Sequence, residues 1–106
     1  MEQSSSQLLD NAVEQFAKLP GIGKKTALRL VLYLLRQPAE ESILFSEVIR
    51  KMRTEIKFCS VCNNISDTDI CNICSDSSRD NTTICVVENI KDIIFIENTG
   101  QYKGLY

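Results

Sequence analysis

The chain contains no histidine, and its longest aliphatic-aromatic run is the six residues Leu30–Leu35. A bilayer span needs about 20 such residues, so no membrane segment is expected. Met1–Asp10 carries neither a basic n-region nor an apolar h-region, which argues against a secretory signal. The expected location is therefore the cytoplasm, where thiols stay reduced and clustered cysteines point to metal rather than to disulfides. A strong charge of one sign is also missing: the formal net charge of −2 is not that of a uniformly basic nucleic-acid binder. The charge is unevenly spread, however. Residues 1–58 hold nine Lys/Arg against seven Asp/Glu, and residues 59–106 hold three against seven, so the basic half is where nucleic acid should bind. There are no internal repeats. At 106 residues the chain is one ordinary domain or two to three very small ones, and small domains are often stapled by a metal.

The pattern along the chain is helical first. Ser4, Ser5 and Ser6 are N-cap candidates, and Leu8, Leu9, Ala12, Val13 and Phe16 follow as a one-sided apolar stripe. Leu19-Pro20-Gly21-Ile22-Gly23 breaks it with one proline and two glycines in five residues, which demands a tight turn. A second helix is expected from about Lys24 to Gln37, with Ala27, Leu28, Val31, Leu34 and Leu35 facing a core. Pro38 suits the first turn of a third helix, whose stripe runs Phe45, Val48, Ile49, Met52 and Ile56. Thr82–Val87 reads as a buried strand, Ile90–Glu97 as a short helix closed by Asn98-Thr99-Gly100, and Gly104–Tyr106 as the first residues of another strand. A strand, a helix and the start of a strand open an α/β unit, so the sequence reads as cut inside a domain. The fold class expected is α+β.

Cys59-x-x-Cys62 and Cys71-x-x-Cys74 are separated by eight residues. Each pair sets two thiolates on one knuckle, and the loop lets four sulfurs surround a single ion. Zinc takes such a set tetrahedrally, and four protein ligands leave no open position, so the ion is structural. The alternatives are two disulfides or unmetallated thiols, with iron in a rubredoxin-like site the main chemical rival. Cys85 falls outside the spacing and reads as a small buried hydrophobe.

The hairpin carries the second constellation. Gly21 and Gly23 allow positive φ and close approach of a partner, and Ile22 can tuck between the helices. The helix that starts after Gly23 presents free N–H groups and the positive end of its dipole, with Lys24, Lys25 and Arg29 in its first two turns. A DNA phosphate fits, and phosphate contacts carry no sequence code, so binding to single- or double-stranded DNA without sequence preference is expected. The alternative is an ordinary αα-hairpin with solvated lysines. A P-loop is excluded by spacing and by the lack of a preceding strand.

Pro-Gly-Ile-Gly-Lys-Lys-Thr-Ala (20–27) resembles the helix-hairpin-helix family of DNA-binding proteins. Followed by CxxC-x8-CxxC, then Ile-Cys-Val-Val-Glu (84–88) and Glu-Asn-Thr-Gly-Gln-Tyr-Lys-Gly-Leu-Tyr (97–106), it resembles the bacterial RecR family of recombination mediators from about Leu8 to Tyr106. The resemblance implies three parts: a helix-hairpin-helix region (1–57), a four-cysteine zinc finger (58–75) and the incomplete start of a Toprim domain (82–106). It implies DNA binding in recombinational repair, ring-like homo-oligomers, and action with RecF and RecO to load RecA. Cys59, Cys62, Cys71 and Cys74 match the family's zinc ligands, and Lys25 and Arg29 its DNA-contacting positions; Lys24 stands where members often carry another residue. Glu88 matches the position of the first Toprim glutamate, but one carboxylate cannot both hold a catalytic Mg²⁺ and do acid-base work. No Asp-x-Asp follows it, and Asp67-Thr68-Asp69 reads as a solvated turn of the zinc loop, so no enzyme activity is expected. The rival class is a zinc-stabilised protein-interaction or oligomerisation module without direct DNA contact.

Overall fold

A computed structural model describes residues 3–106; Met1 and Glu2, part of the stretch read as lacking a signal peptide, lie outside the described residues. The elements in order are α1 (Gln7–Ala17), α2 (Lys24–Leu35), α3 (Ala39–Glu55), β1 (Lys57–Phe58), β2 (Ile65–Ser66), α4 (Asn72–Ser75) and α5 (Ile90–Asn98). This is an α+β chain in two compact units, Met1–Ile49 and Arg50–Tyr106. No helix among the described residues is long and apolar enough to cross a membrane.

In the first unit, α1 starts on Ser6, whose hydroxyl accepts from the Leu9 N–H at 3.2 Å and satisfies one of the orphan donors of the first turn. Val13 of α1 meets Ala27 and Val31 of α2, and all three are buried; Leu9, Ala12, Phe16, Ala17 and Ile22 close round them. Ala27 is fully covered, so this small side chain sets how closely the helices approach. Ala27→Leu is expected to overpack the contact and cost about 1–3 kcal/mol, read as a lower denaturant midpoint.

Part of the expected core is not covered. Leu8 is 83% exposed and Leu35 69%. On α3, Phe45, Val48, Ile49 and Met52 are each about half exposed, and no residue of the helix is buried. Helical spacing places these side chains on one face, but burial needs a close opposing surface, and Tyr33 and Leu34 of α2 only share an open groove with Leu44, Phe45 and Val48. Pro38 stands just before α3, its carbonyl accepting from the Glu41 N–H at 3.0 Å.

In the second unit, the strand expected over Thr82–Val87 is reduced to one parallel bridge, Ile84 with Leu105. The Cys85 N–H donates to the Leu105 carbonyl at 2.8 Å, and the Leu105 N–H to the Thr83 carbonyl at 2.9 Å. The expectation that it is buried is also corrected. Cys85 and Val87 are half-buried while Ile84 and Val86 are exposed, Val86 by 91%, because only one face of the extended segment is covered. Gly104 permits the bridge: a Cβ there would lie 2.8 Å from the Thr83 carbonyl oxygen. Helix α5 begins on Asn89, whose side chain accepts from the Asp92 N–H, and it buries Ile93.

Glu97 near the end of α5 pairs with the Arg79 guanidinium and accepts from the Tyr106 hydroxyl at 2.6 Å. The Arg79 contact holds the Glu97 carboxyl below its ordinary value of 4.5. A carboxyl lowered by folding contributes stability that is complete above its unfolded value and is lost as pH falls through the folded one. Acidification below about 4.5 is therefore expected to loosen α5 in the wild type more than in Glu97→Gln, which starts weaker but has no proton to gain there. Hydrogen exchange of the α5 amides at stepped pH reads the difference.

Candidate metal centre and nucleic-acid interface

The knuckle is built from short local bonds. Strands β1 and β2 pair antiparallel, Lys57 opposite Ser66 and Phe58 opposite Ile65. The chain turns between them at Cys59–Asn64: the Asn63 N–H donates to the Cys59 carbonyl at 2.8 Å, the Cys59 N–H to the Asn64 carbonyl at 2.7 Å, and Asn63 takes a φ of 66°. Asparagine is among the few residues that adopt this left-handed backbone readily. The second arm is tied back where the Ser60 N–H donates to the Asp69 carbonyl at 2.8 Å. Ser66 and Thr68 brace the loop with their own hydroxyls, and Asp67 and Asp69 stay exposed. Cys71 then caps α4, its sulfur accepting from the Cys74 N–H.

These bonds bring Cys59, Cys62, Cys71 and Cys74 together, with all four Sγ atoms within 4.8 Å of one another. Cys62 Sγ and Cys71 Sγ are 3.7 Å apart. A tetrahedron with Zn–S bonds of about 2.3 Å has edges of roughly 3.8 Å, so the spacing is that of ligands around one zinc ion. It is too long for an S–S bond, and all five cysteines are free thiols. The electrostatics agree. N–H groups of Cys62 and Cys71 hold the Cys59 thiol down at about 6, whereas burial pushes Cys62 and Cys74 up. A divalent cation in the middle of the cluster would favour the thiolate form of its ligands. Cys85 lies outside the cluster and is half-buried beside the Ile84–Leu105 bridge.

The hairpin sits in the other unit. Its turn is closed by the Ile22 N–H donating to the Leu19 carbonyl at 3.1 Å, with Gly21 at φ 81°, a conformation that L side chains rarely adopt. Gly23 occupies the N-cap of α2, and no side chain caps the helix. The first backbone bond of α2 is the Ala27 N–H to the Gly23 carbonyl at 2.9 Å. The N–H groups of Lys24, Lys25 and Thr26 are thus left to an outside acceptor. No acidic residue lies in the first turn. Lys25 and Arg29 are one helical turn apart on the same exposed face, and neither is paired with a carboxylate among the described residues. Lys24 is also exposed, and it lines a groove with Asp10 and Glu14 of α1 and with the C-cap Lys18. The sequence pointed to the four-cysteine cluster and to the hairpin turn but not to the Arg79–Glu97–Tyr106 cluster. Its members are 9 and 18 residues apart and carry no local spacing signal.

Together these sites define a helix-hairpin-helix protein that also carries a four-cysteine zinc finger. Residues 9–53 match the family described as the helix-hairpin-helix of RecR, and residues 56–76 the one described as its four-cysteine zinc finger domain. The chain is 56% identical over 106 residues to a recombination protein RecR of Porphyromonas gingivalis, covering all of this chain and 51% of the relative. It is 58% identical over 102 residues to the protein of that name in Flavobacterium johnsoniae, covering 96% and 50%. A third, from Bacteroides thetaiotaomicron, is 53% identical over 105 residues, covering 99% and 51%. The chain belongs to the RecR family, of which it carries the N-terminal portion. It spans about half the length of the curated relatives it matches.

Proposed function

We propose that this chain is a non-enzymatic DNA-binding part of a recombination and repair protein, gripping phosphates of single- or double-stranded DNA without regard to sequence. The observation that carries the reading is the uncapped start of α2: three unsatisfied N–H groups, no acidic neighbour in the first turn, and Lys25 and Arg29 on one exposed face beside them. Helix dipole and cations both favour an anion there, and backbone phosphate is the anion that DNA presents at every step. Gly21 and Gly23 serve the grip by shape: a Cβ at either would meet no protein atom within 4 Å, so their outer side is open to a partner. Lys24 plays a lesser part in this reading, since Asp10 and Glu14 share the groove it lines. The zinc finger (58–75) is structural in this reading, and residues 82–106 open a Toprim domain. Membership of the RecR family supports action with RecF- and RecO-like proteins in loading RecA, as a homo-oligomer.

A second reading, of an interaction module that assembles without touching DNA, draws on the uncovered apolar stripe of α3. Titrating labelled single- and double-stranded DNA of unrelated sequences at several salt concentrations separates the two. Affinity that is equal across sequences and falls with salt supports the phosphate grip; no binding at low salt by the folded, zinc-loaded protein rejects it for this chain.

A further inference from the structure

Arg79 lies between the zinc finger and the βα segment, and its side chain is only 12% exposed. Its Nη2 donates to Glu97 Oε1. Its Nη1 is shared among Glu97 Oε2 at 3.1 Å and the carbonyls of Tyr102 and Gly104, both at 3.2 Å. All these acceptors belong to the end of α5 or to the segment that follows it. The Tyr106 hydroxyl completes the cluster on Glu97, and Tyr102 and Tyr106 pack edge to face. The next residue, Asp80, docks on the same segment through its N–H to the Lys103 carbonyl at 2.7 Å.

The other side of Arg79 leads to the cysteines. Its N–H donates to the Asp76 carbonyl at 3.2 Å, and its Nε lies 3.9 Å from Asp76 Oδ2. Asp76 is the C-cap of α4, the helix that Cys71 caps and that contains Cys74. Between Asp76 and Arg79 there is little slack, because Ser78 bonds Asp76 Oδ1 through both its N–H, at 2.9 Å, and its hydroxyl, at 2.6 Å. The arginine that organises the βα segment is therefore aimed by a turn that begins at the C-cap of α4, the short helix that Cys71 caps and that contains Cys74.

We propose that Arg79 couples occupancy of the four-cysteine site to the order of residues 82–106, so that the βα segment is held only while the knuckle is metal-loaded. A filled site fixes α4 and the Asp76 turn, which present the guanidinium to Glu97 and to the Tyr102 and Gly104 carbonyls. An empty site frees α4, and the guanidinium exchanges those partners for water. Beyond the Arg79 and Tyr106 contacts, the segment is held by one bridge, by the Asp80 contacts with Lys103 and Thr83, by the Tyr102 hydroxyl on the Leu105 carbonyl, and by Ile93 as the buried residue of α5.

Hydrogen exchange of the α5 amides in the 106-residue chain, zinc-loaded and after chelation, tests this. In the wild type, chelation is expected to speed exchange in α5 by about tenfold or more. In zinc-loaded Arg79→Ala, α5 is expected to exchange as fast as in the chelated wild type, with one zinc still bound, and chelation should change it little further. Arg79→Lys, which keeps the charge but not the planar fork, serves if the alanine variant fails to fold, and should fall between the two. Unchanged α5 exchange on chelation of the wild type overturns the proposal. So does an Arg79→Ala or Arg79→Lys protein whose α5 protection still follows zinc as the wild type's does.

Discussion

Replacing Cys71 with serine is expected to abolish zinc binding and unfold the knuckle. Cys71 is buried and does three jobs at once. It supplies one of the four clustered sulfurs, its N–H donates to Cys59 Sγ at 3.3 Å, and its own sulfur caps α4. Serine can cap a helix but is a poor ligand for a zinc ion chosen by thiolates. Structural zinc in finger peptides contributes about 10–16 kcal/mol of apparent binding free energy, which is as large as the whole stability of an ordinary domain. The buried side chains of the second unit are Cys59, Ser66, Cys71 and Ile93, with Gly104 buried beside them, too few to hold the knuckle without metal. Metal analysis should fall from one zinc per chain to near zero, and amide protection over residues 57–75 should disappear. The core of Val13, Ala27 and Val31 should keep its protection, because it is built within the other unit. A Cys71→Ser protein that kept one zinc and its knuckle protection would show that three sulfurs suffice.

The double reversal Lys25→Glu/Arg29→Glu is expected to remove DNA binding. Both side chains are exposed and outside the core, so the fold should survive. The change replaces two cations with two anions beside the uncapped N–H groups of α2, where the proposed grip would hold a phosphate. Every phosphate that the protein no longer neutralises lowers the slope of log affinity against log salt by about 0.9 on duplex DNA, so the slope of the double variant should drop by roughly two units. Affinity at low salt should fall by about a hundredfold or more, and equally for unrelated sequences. Lys24→Glu should do much less, since Lys24 lines the groove beside Asp10 and Glu14. Wild-type affinity in the double variant would remove the hairpin from the DNA contact and leave assembly as the role of the first unit.

The cysteine cluster and the hairpin were legible because their parts are close in sequence. Two CxxC pairs eight residues apart leave the sulfurs few arrangements, and the structure gathers them within 4.8 Å. Pro20, Gly21 and Gly23 terminate one helix and start the next within a few residues. Ser6 and Asn89 act on backbone N–H groups three positions on, which is a purely local matter. The difference between Lys24 and Lys25 was not legible. Both follow Gly23, and only the packing of α1 on α2 decides that Lys24 lines a groove with residues of α1.

By itself, then, the sequence determined what depends on a handful of neighbouring residues: where helices begin, where the chain must turn, and that four thiols belong to one metal. Tertiary structure decided what depends on distant segments meeting. Helical period puts Leu8, Leu35 and the α3 residues on apolar faces, but whether a face is covered is set by what packs against it. A β-prone stretch becomes a ladder only with a partner, and Thr82–Val87 finds one bridge, at Leu105. Arg79 reads as one more charge in a polar linker until 18 residues of chain close to bring Glu97 to it. The entropy of closing that loop must be met by many contacts at once, and no local pattern records which of them will form.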